Sequence, residues 1–291
     1  MPGISDLNLK IAAEKAIVAA HPYIAPLKMF STSFNDEAKQ KGDAVLVPVF
    51  DVGAVAAFDA DNNNYAGTTQ GVTGVPVTLN QHYVKSVYIT DRQVAETDMA
   101  FFEGAGRAIG EALSMQAVGA GLALVGDASV TKSETFTVAN SQNKQAVANL
   151  YAMASDNGID PRDAVVVLDP ARFAGVLSTL DAYQYGGTEA IREGLVPNLY
   201  GFYGVVSSTQ LPTGAVGAIV HREAIGVASR YLEPMDGVYE AVSKVTDEKT
   251  GFTIGFRVFG QKETGRRFIA GETLYGAALL QPGAIVKLVN A

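Results

Sequence analysis

Residues 42–50 read GDAVLVPVF and residues 75–91 read VPVTLNQHYVKSVYITD, two β-patterned limbs on either side of a tip too polar to bury. In the first limb Val45, Val47 and Val49 alternate with Leu46, Pro48 and Phe50, so both faces are apolar. Pro48 has no N–H to give to a ladder, which predicts an edge or a two-stranded ribbon rather than a central strand. The tip holds Asp59, Asp61, Asn62, Asn63 and Asn64, then Gly67, Gly71 and Gly74, residues that favour turns and positive φ over a packed core. The return limb runs through Val75, Val77 and Leu79 to Tyr83, Val87 and Ile89, and about ten extended residues reach ~33 Å. A lone two-stranded hairpin is marginal in water, so a long one with apolar faces needs a surface to lie on. A second copy of the chain is the expected surface.

Directly after this ribbon, Thr97 or Asp98 caps a predicted helix that runs to about Leu124 and stops at Gly126 and Asp127. Its length is roughly 40 Å at 1.5 Å per residue. Gly104, Gly106, Gly110, Gly119 and Gly121 each lower helix propensity by up to about 1 kcal/mol, and close packing of the helix backbone on a sheet is the expected compensation. Upstream, residues 4–34 read as an extended or partly helical leader with one short helix, interrupted by Pro22 and Pro26.

Downstream, Ser141 caps a helix with Ala146, Val147, Leu150, Tyr151 and Ala154 at helical spacing and Gly158 as its stop. Residues 164–168 form a short, wholly apolar strand, and Asp169 and Pro170 take the cap and first-turn positions of another helix. Further strands are predicted at 204–207 and 215–220, with a helical turn beginning over 221–225. From Val238 the pattern becomes antiparallel and half exposed, with Phe252, Ile254, Phe256 and Val258 alternating with Thr253, Gly255, Arg257 and Phe259. A strand at 284–289 closes the chain. The fold class is α+β, with helices on sheet faces.

At 291 residues and 48% hydrophobic composition, a substantial core is assured. A net charge of -8 opposes the cationic surface that dominates nonspecific nucleic-acid affinity, leaving only weak, local contact with DNA. There is no cysteine, and His21, His82 and His221 are too far apart in sequence for a ligand pattern, so no metal or cofactor is expected. No apolar run reaching the roughly 18 residues of a membrane span and no signal-peptide pattern are apparent, which predicts a soluble, cytoplasmically made protein without a membrane partner.

Several groups resemble chemistry and have simpler readings. The glycines of 104–110 miss phosphate-loop spacing and lie inside the predicted helix. Asp156, Asp160 and Asp163 lack the twelve-position calcium pattern and read as turn and cap residues. Ser207 and Ser208 have no glycine elbow, and His221 beside Arg222 and Glu223 reads as a strand-end or interface residue. No catalytic residue is assigned. Arg266 and Arg267 fit an intersubunit salt bridge or a solvated turn better than a phosphate site. With Phe50, Phe58 and Tyr65 they are the candidate intersubunit contacts.

In its order of elements the chain resembles the tailed-bacteriophage major capsid proteins of the Hong Kong 97 fold. The resemblance rests on the N-terminal arm, the extended loop with residues 82–91 leading into the long helix, residues 165–170 followed by a helix, residues 201–208, and the β-rich return. It implies an N-terminal arm at 1–41, an extended β-hairpin loop at 42–90, a peripheral domain with a spine helix at 91–135 and an axial α/β domain at 136–235. Residues 236–291 return to the peripheral domain, the last strand being open between the two domains.

The implied function is mechanical. Copies form hexameric and pentameric capsomers of an icosahedral head around double-stranded DNA, with the loop overlapping a neighbour, a portal protein at one vertex and a separate scaffolding protein. The implied location is the virion capsid, with synthesis in the host cytoplasm. No residues match a covalent lysine–asparagine crosslink, so assembly is expected to be noncovalent. The alternatives are an encapsulin-like nanocompartment shell, and a small-molecule enzyme built around Leu168, Asp169 and Pro170.

Overall fold

A computed structural model describes residues 6–24, 26–27, 30, 44–50, 72–90, 99–143, 145–179, 195–197, 201–235, 237–248, 250–261 and 263–290. The helices are α1 (Asp6–Ile24), α2 (Met99–Ala123), α3 (Val138–Ser141), α4 (Ala146–Asp156) and α5 (Pro170–Thr179). The strands are β1 (Ala44–Phe50), β2 (Val72–Thr78), β3 (Gln81–Thr90), β4 (Ser133–Thr135), β5 (Ala164–Leu168), β6 (Leu195–Pro197), β7 (Gly204–Ser207) and β8 (Gly217–His221), then β9 (Ile225–Arg230), β10 (Ala241–Thr246), β11 (Thr253–Gln261), β12 (Arg266–Leu279) and β13 (Ile285–Val289).

The apolar run of β5 decides the centre of a six-stranded mixed sheet in the order β4-β13-β8-β5-β7-β6. All five residues of β5 are buried, because both of its faces are covered. Val166 and Leu168 join Phe136, Leu150, Phe173 and Val176 on the side of α4 and α5, whereas Val165 and Val167 join the core of α2 on the other side. Asp169 caps α5 as its position before Pro170 requires, accepting from the Arg172 N–H at 2.9 Å. Arg172 is itself buried. Its Nη1 donates to Asp169 at 2.6 Å, its Nε to the Phe136 carbonyl at 2.7 Å and its Nη2 to Asn290 at 2.8 Å. One planar fork therefore ties the start of α5 to the chain before α3 and to the end of β13.

A second sheet runs β10-β11-β12-β3, all antiparallel, and β12 also pairs with β9. The 14 residues of β12 make this possible, with β3 and β11 flanking its first part and β9 its last. Helix α2 lies on the inner face of β12 at Gly271, where an added Cβ would overlap the Ile109 side chain. At Gly276 an added Cβ would overlap the Thr78 carbonyl, so the end of β2 is also pressed against β12.

Several expectations change. The leader is a 19-residue helix, not an extended segment with a short one. Its alanines favour helix, and burial supplies the rest. The glycines of α2 compensate against this helix as well as the sheet. Added Cβ atoms at Gly106 and Gly110 would overlap the carbonyls of Ala12 and Ala16, while Gly121 faces the Phe30 ring at 3.0 Å. Ser141 is not the cap of α4: Thr137 caps α3, and the buried Ser141 hydroxyl donates to the Val138 carbonyl at 2.7 Å. Residues 221–225 form a turn closed by Ala224 N–H to His221 O at 2.9 Å, and the chain continues as β9, which the sequence reading passed over. Thr97 and Asp98, the expected cap of α2, lie outside the described residues.

Segment 101–126 is long and apolar enough to cross a membrane by length and composition, contrary to the expectation of no such stretch. Half of its most apolar stretch is buried inside the protein, as a core helix is.

Among the described side chains of α1, Leu9 is buried and Ile17 packs against the core. Ala12, Ala13, Ala16 and Ala20 are each at most 2% exposed, and a buried methyl contributes about 0.8 kcal/mol. Leu27 and Phe30, further along, each contribute about 2–3 kcal/mol by the same measure.

Replacing Arg172 by alanine is expected to lower stability by about 3 kcal/mol, because Asp169, Asn290 and the Phe136 carbonyl lose their shared donor. Urea denaturation of the purified chain measures this, and a loss under ~0.5 kcal/mol would show that the fork is not a structural tie.

Candidate assembly surfaces

The ribbon seen in sequence is two structures. Strands β1 and β2 form a two-stranded antiparallel hairpin root, from Ala44 opposite Thr78 to Phe50 opposite Val72. The return limb breaks at Leu79–Asn80, where Asn80 N–H reaches back to Thr78 O at 3.1 Å. Strand β3 then leaves the hairpin and pairs with β12 along its whole length. A single limb extending through 89 is therefore corrected, while Pro48 does sit in a two-stranded ribbon.

The hairpin root has one covered and one open face. Val45, Val47, Val77 and Leu79 are buried against Ala228 and Leu280 of the same chain, so the first surface under the ribbon is its own protein. On the opposite face Leu46 is 67% exposed, and Pro48 and Pro76 lie exposed beside it. Between the hairpin and the six-stranded sheet lies an open cleft of about 710 Å3, lined by Val49, Thr73, Val75, Asp160, His221 and Leu280 among others.

A second open surface crosses the outer face of the five-stranded sheet. The register sets Tyr88 opposite Phe268 and Phe268 opposite Phe259. Their rings follow one another at centroid distances of 6.0 and 5.3 Å, and Tyr239 extends the row at 6.2 Å from Phe259. Arginines close both ends: Arg266 lies 4.5 Å over the Tyr88 ring and Arg257 4.8 Å over the Tyr239 ring. Tyr88 is 50% exposed. This row was missed in the sequence, although the alternation of Arg257 and Phe259, with Phe268 across the following turn, carried its signal.

Of the candidate contact residues, Arg266 and Arg267 are adjacent on β12. Arg267 pairs with Glu240 at 3.0 Å, and Arg266 caps the aromatic row. Phe50 ends β1 opposite Val72, while Phe58 and Tyr65 lie outside the described residues. Arg266 and Arg267, the two of the five whose side chains are described, have separate partners.

The groups that resembled chemistry are placed in local roles. Asp160 accepts from the Arg162 guanidinium and then from its backbone N–H, which hold its carboxyl down at about 2, and it caps the turn at Pro161. His221 Nδ1 accepts from the Glu223 N–H at 3.3 Å, Ser208 Oγ from the Gln210 N–H at 3.1 Å, and Asp169 serves Arg172. Among the described residues no group of three His, Asp or Glu could hold a metal ion.

Beneath the aromatic row, Arg257 and Glu272 form a buried ion pair. Glu272 also meets His82 at 3.3 Å, and Arg257 donates to Tyr239 at 2.8 Å and to the Leu232 carbonyl at 3.0 Å. Gly255 lies under the Tyr231 ring, so the first half of β11 is covered on its outer side instead of half exposed. On the inner side Tyr275 is fully buried, stacks on Tyr83 at 5.8 Å and leaves its hydroxyl without a partner among the described residues. Burial, then the neighbouring Tyr83, pushes that phenol up from its ordinary value.

No protein-family model and no curated protein matches the chain. Solved structures do. A cyanophage A-1(L) capsid protein is 12% identical, with 90% of this chain and 93% of that chain covered and a TM-score of 0.57. A protein of Mycobacterium phage Che8 is 14% identical, with 89% of each chain covered and a TM-score of 0.56. A virus-like particle from Pyrococcus furiosus is 12% identical, with 95% of this chain and 97% of that chain covered and a TM-score of 0.56. The likeness spans nearly the whole chain and defines the class of fold: α+β, of the kind seen in tailed-phage capsids, the Hong Kong 97 type.

Replacing Tyr275 by phenylalanine is expected to leave stability unchanged or raise it by up to about 1 kcal/mol, since a buried hydroxyl without a partner is removed and the ring stack kept. A loss above ~1 kcal/mol in thermal or urea unfolding would show that the hydroxyl has a partner.

Proposed function

We propose that this chain is the major capsid protein of a tailed bacteriophage, a subunit that assembles with copies of itself into an icosahedral head around double-stranded DNA. The observation that carries the reading is the whole-length likeness in fold to a cyanophage capsid protein. Two features of the chain support it. The hairpin root presents an apolar outer face at Leu46, Pro48 and Pro76, and the outer sheet face presents the row from Arg266 to Arg257. Aromatic and arginine side chains are the residue types that concentrate binding energy at protein interfaces.

In this reading copies form hexameric and pentameric capsomers. Phe50, Phe58, Tyr65, Arg266 and Arg267 are contacts between subunits, and the role is structural, not enzymatic. The division into an arm at 1–41, a loop at 42–90, a peripheral part at 91–135 with 236–291 and an axial part at 136–235 belongs to the same proposal. So do a portal protein, a separate scaffolding protein, only weak nonspecific contact with DNA, synthesis in the host cytoplasm and location in the virion. The net charge of -8 fits a wall that does not hold its genome tightly. A nanocompartment shell is the second and less supported reading; the observation behind it is the shared fold with a virus-like particle from Pyrococcus furiosus.

Electron microscopy of the expressed chain, alone and with its genomic neighbours, is expected to show closed shells of uniform size. Protein that stays monomeric under all assembly conditions and in lysate overturns a shell role. Shells filled with a cargo enzyme in their native host, instead of DNA, select the nanocompartment.

Deleting residues 55–72 is expected to leave the subunit folded, with unchanged circular dichroism, while abolishing stable shells. Normal shells from that deletion remove the loop's assigned role.

A further inference from the structure

We infer that Asn157 is a latent self-modification site: its side-chain amide is lost by attack of the Gly158 nitrogen when the end of α4 opens, and the folded chain holds it intact. The inference stands on the chemistry of one chain segment and does not depend on the shell reading.

Residues 157–158 are the one Asn-Gly pair in the sequence. An asparagine followed by glycine is the pair most open to this reaction, because no Cβ shields the attacking nitrogen and the backbone turns freely. The Gly158 nitrogen loses its proton to solvent base and bonds to the Asn157 Cγ. The Cγ–Nδ2 bond breaks, and the amide nitrogen takes up a proton and leaves as ammonia. Water then opens the succinimide ring. Attack at Cγ gives aspartate, and attack at the backbone carbonyl gives isoaspartate, whose main chain runs through the side-chain carbons. Water is the single co-reactant, and nothing is oxidised or reduced.

The fold opposes each step. Ring closure needs the Gly158 nitrogen over the Asn157 side chain, but φ of -89° and ψ of 7° turn it toward the Asn157 nitrogen instead. The Gly158 N–H donates to the Ser155 carbonyl at 2.9 Å and the Ile159 N–H to the Ala154 carbonyl at 2.9 Å, so the turn is closed on both sides of the reacting bond. The leaving group is held as well. Asn157 Nδ2 donates to the Met153 carbonyl at 2.9 Å and to Glu134 Oε1 at 3.1 Å, and because a carbonyl and a carboxylate accept, the amide nitrogen is fixed toward them.

The same contacts make the change one-way. An oxygen in place of Nδ2 faces the Met153 carbonyl, Glu134 and the negative end of α4. Asp156 and Asp160 flank it in sequence. Lys132 is a cation at hand, but its Nζ is bound to the carbonyls of Asn157, at 2.6 Å, and Gly283. A carboxylate at 157 gains that cation only by drawing it off the backbone. The Asn157 amide is thus the tie between α4 and β4, and a chain that converts while open does not remake it.

Mass spectrometry of the tryptic peptide 145–162, from purified full-length chain aged at mildly alkaline pH either folded or in guanidinium, tests this. Aspartate and isoaspartate at 157 are expected to accumulate in the unfolded chain, and at least about fiftyfold more slowly in the folded one. Equal rates overturn the guarding, and an unfolded chain that keeps its asparagine overturns the site. Asn157→Gln, aged in guanidinium so that folding is not required, is expected to lower conversion in that peptide about tenfold or more, because its longer side chain must close a larger ring. Undiminished conversion places the reaction at another residue, and the inference fails. For the product, hydrogen exchange of Asn157→Asp is expected to show the Ile159 amide exchanging about tenfold faster than in the parent, with β12 within about twofold. Parent-like exchange at Ile159 overturns the one-way step, whereas a variant that does not fold has lost the tie outright and upholds it.

Discussion

Three strands, a helix and the end of the hairpin all converge on β12, and two missing side chains let them. At Gly271 the helix α2 approaches so closely that Ile109 fills the place of a Cβ, and at Gly276 the Thr78 carbonyl does the same. A larger residue at either position would push an element away from the strand that organises it. Both contacts lie on a strand that is 14 residues long, so β3 and β11 can flank its first part while β9 pairs with its last. The position of the hairpin relative to α2 follows from this one strand.

The outer side of the same strand shows how polarity is used to fix geometry. Burying Arg257 with Glu272 costs desolvation that a well-packed apolar pair would avoid. In return Arg257 holds Tyr239 and the Leu232 carbonyl, and Glu272 holds His82. The loop before β10 and the start of β3 are thereby fixed to adjacent strands, and the aromatic row above them keeps its spacing. The alternative arrangement, an apolar outer face, would leave the register of β3 specified only by its edge pairing and prone to slip. Arg172 has the same office on the six-stranded sheet, where three separate chain segments meet one guanidinium.

The parts that were legible in sequence are those whose cause is local. The five apolar residues of β5 are buried on both faces, Asp169 and Pro170 start α5, Gly158 ends α4 with a φ of 73°, and Pro48 sits in a two-stranded ribbon. What escaped depends on distant partners. Alanine-rich residues 6–24 give a weak periodic signal, because the face they bury is defined by notches at Gly106 and Gly110, about a hundred residues away in sequence. The split of one limb into β2 and β3 is imposed by β12, which the limb itself does not encode. The candidate contacts were chosen from the sequence by residue type alone, aromatic and basic, which carries no geometry. The row that orders Tyr88, Phe268 and Phe259 required the register of two strand pairs.

The covered and open surfaces together limit how this protein can act. The inner face of the hairpin root is already satisfied by Ala228 and Leu280, so any surface gained by association must come from the opposite face, at Leu46, Pro48 and Pro76. The aromatic row is likewise held from below and open above. Rings held in fixed positions lose little conformational freedom when they are covered, so such a row binds with less of the ordering cost that mobile side chains would bring. A net charge of -8 sets copies of the chain against mutual repulsion, and the exposed Arg266 is a local exception to it, whereas Arg267 is neutralised by Glu240. On the shell reading, association is thereby confined to particular faces, which is what a closed, regular assembly requires of its subunit.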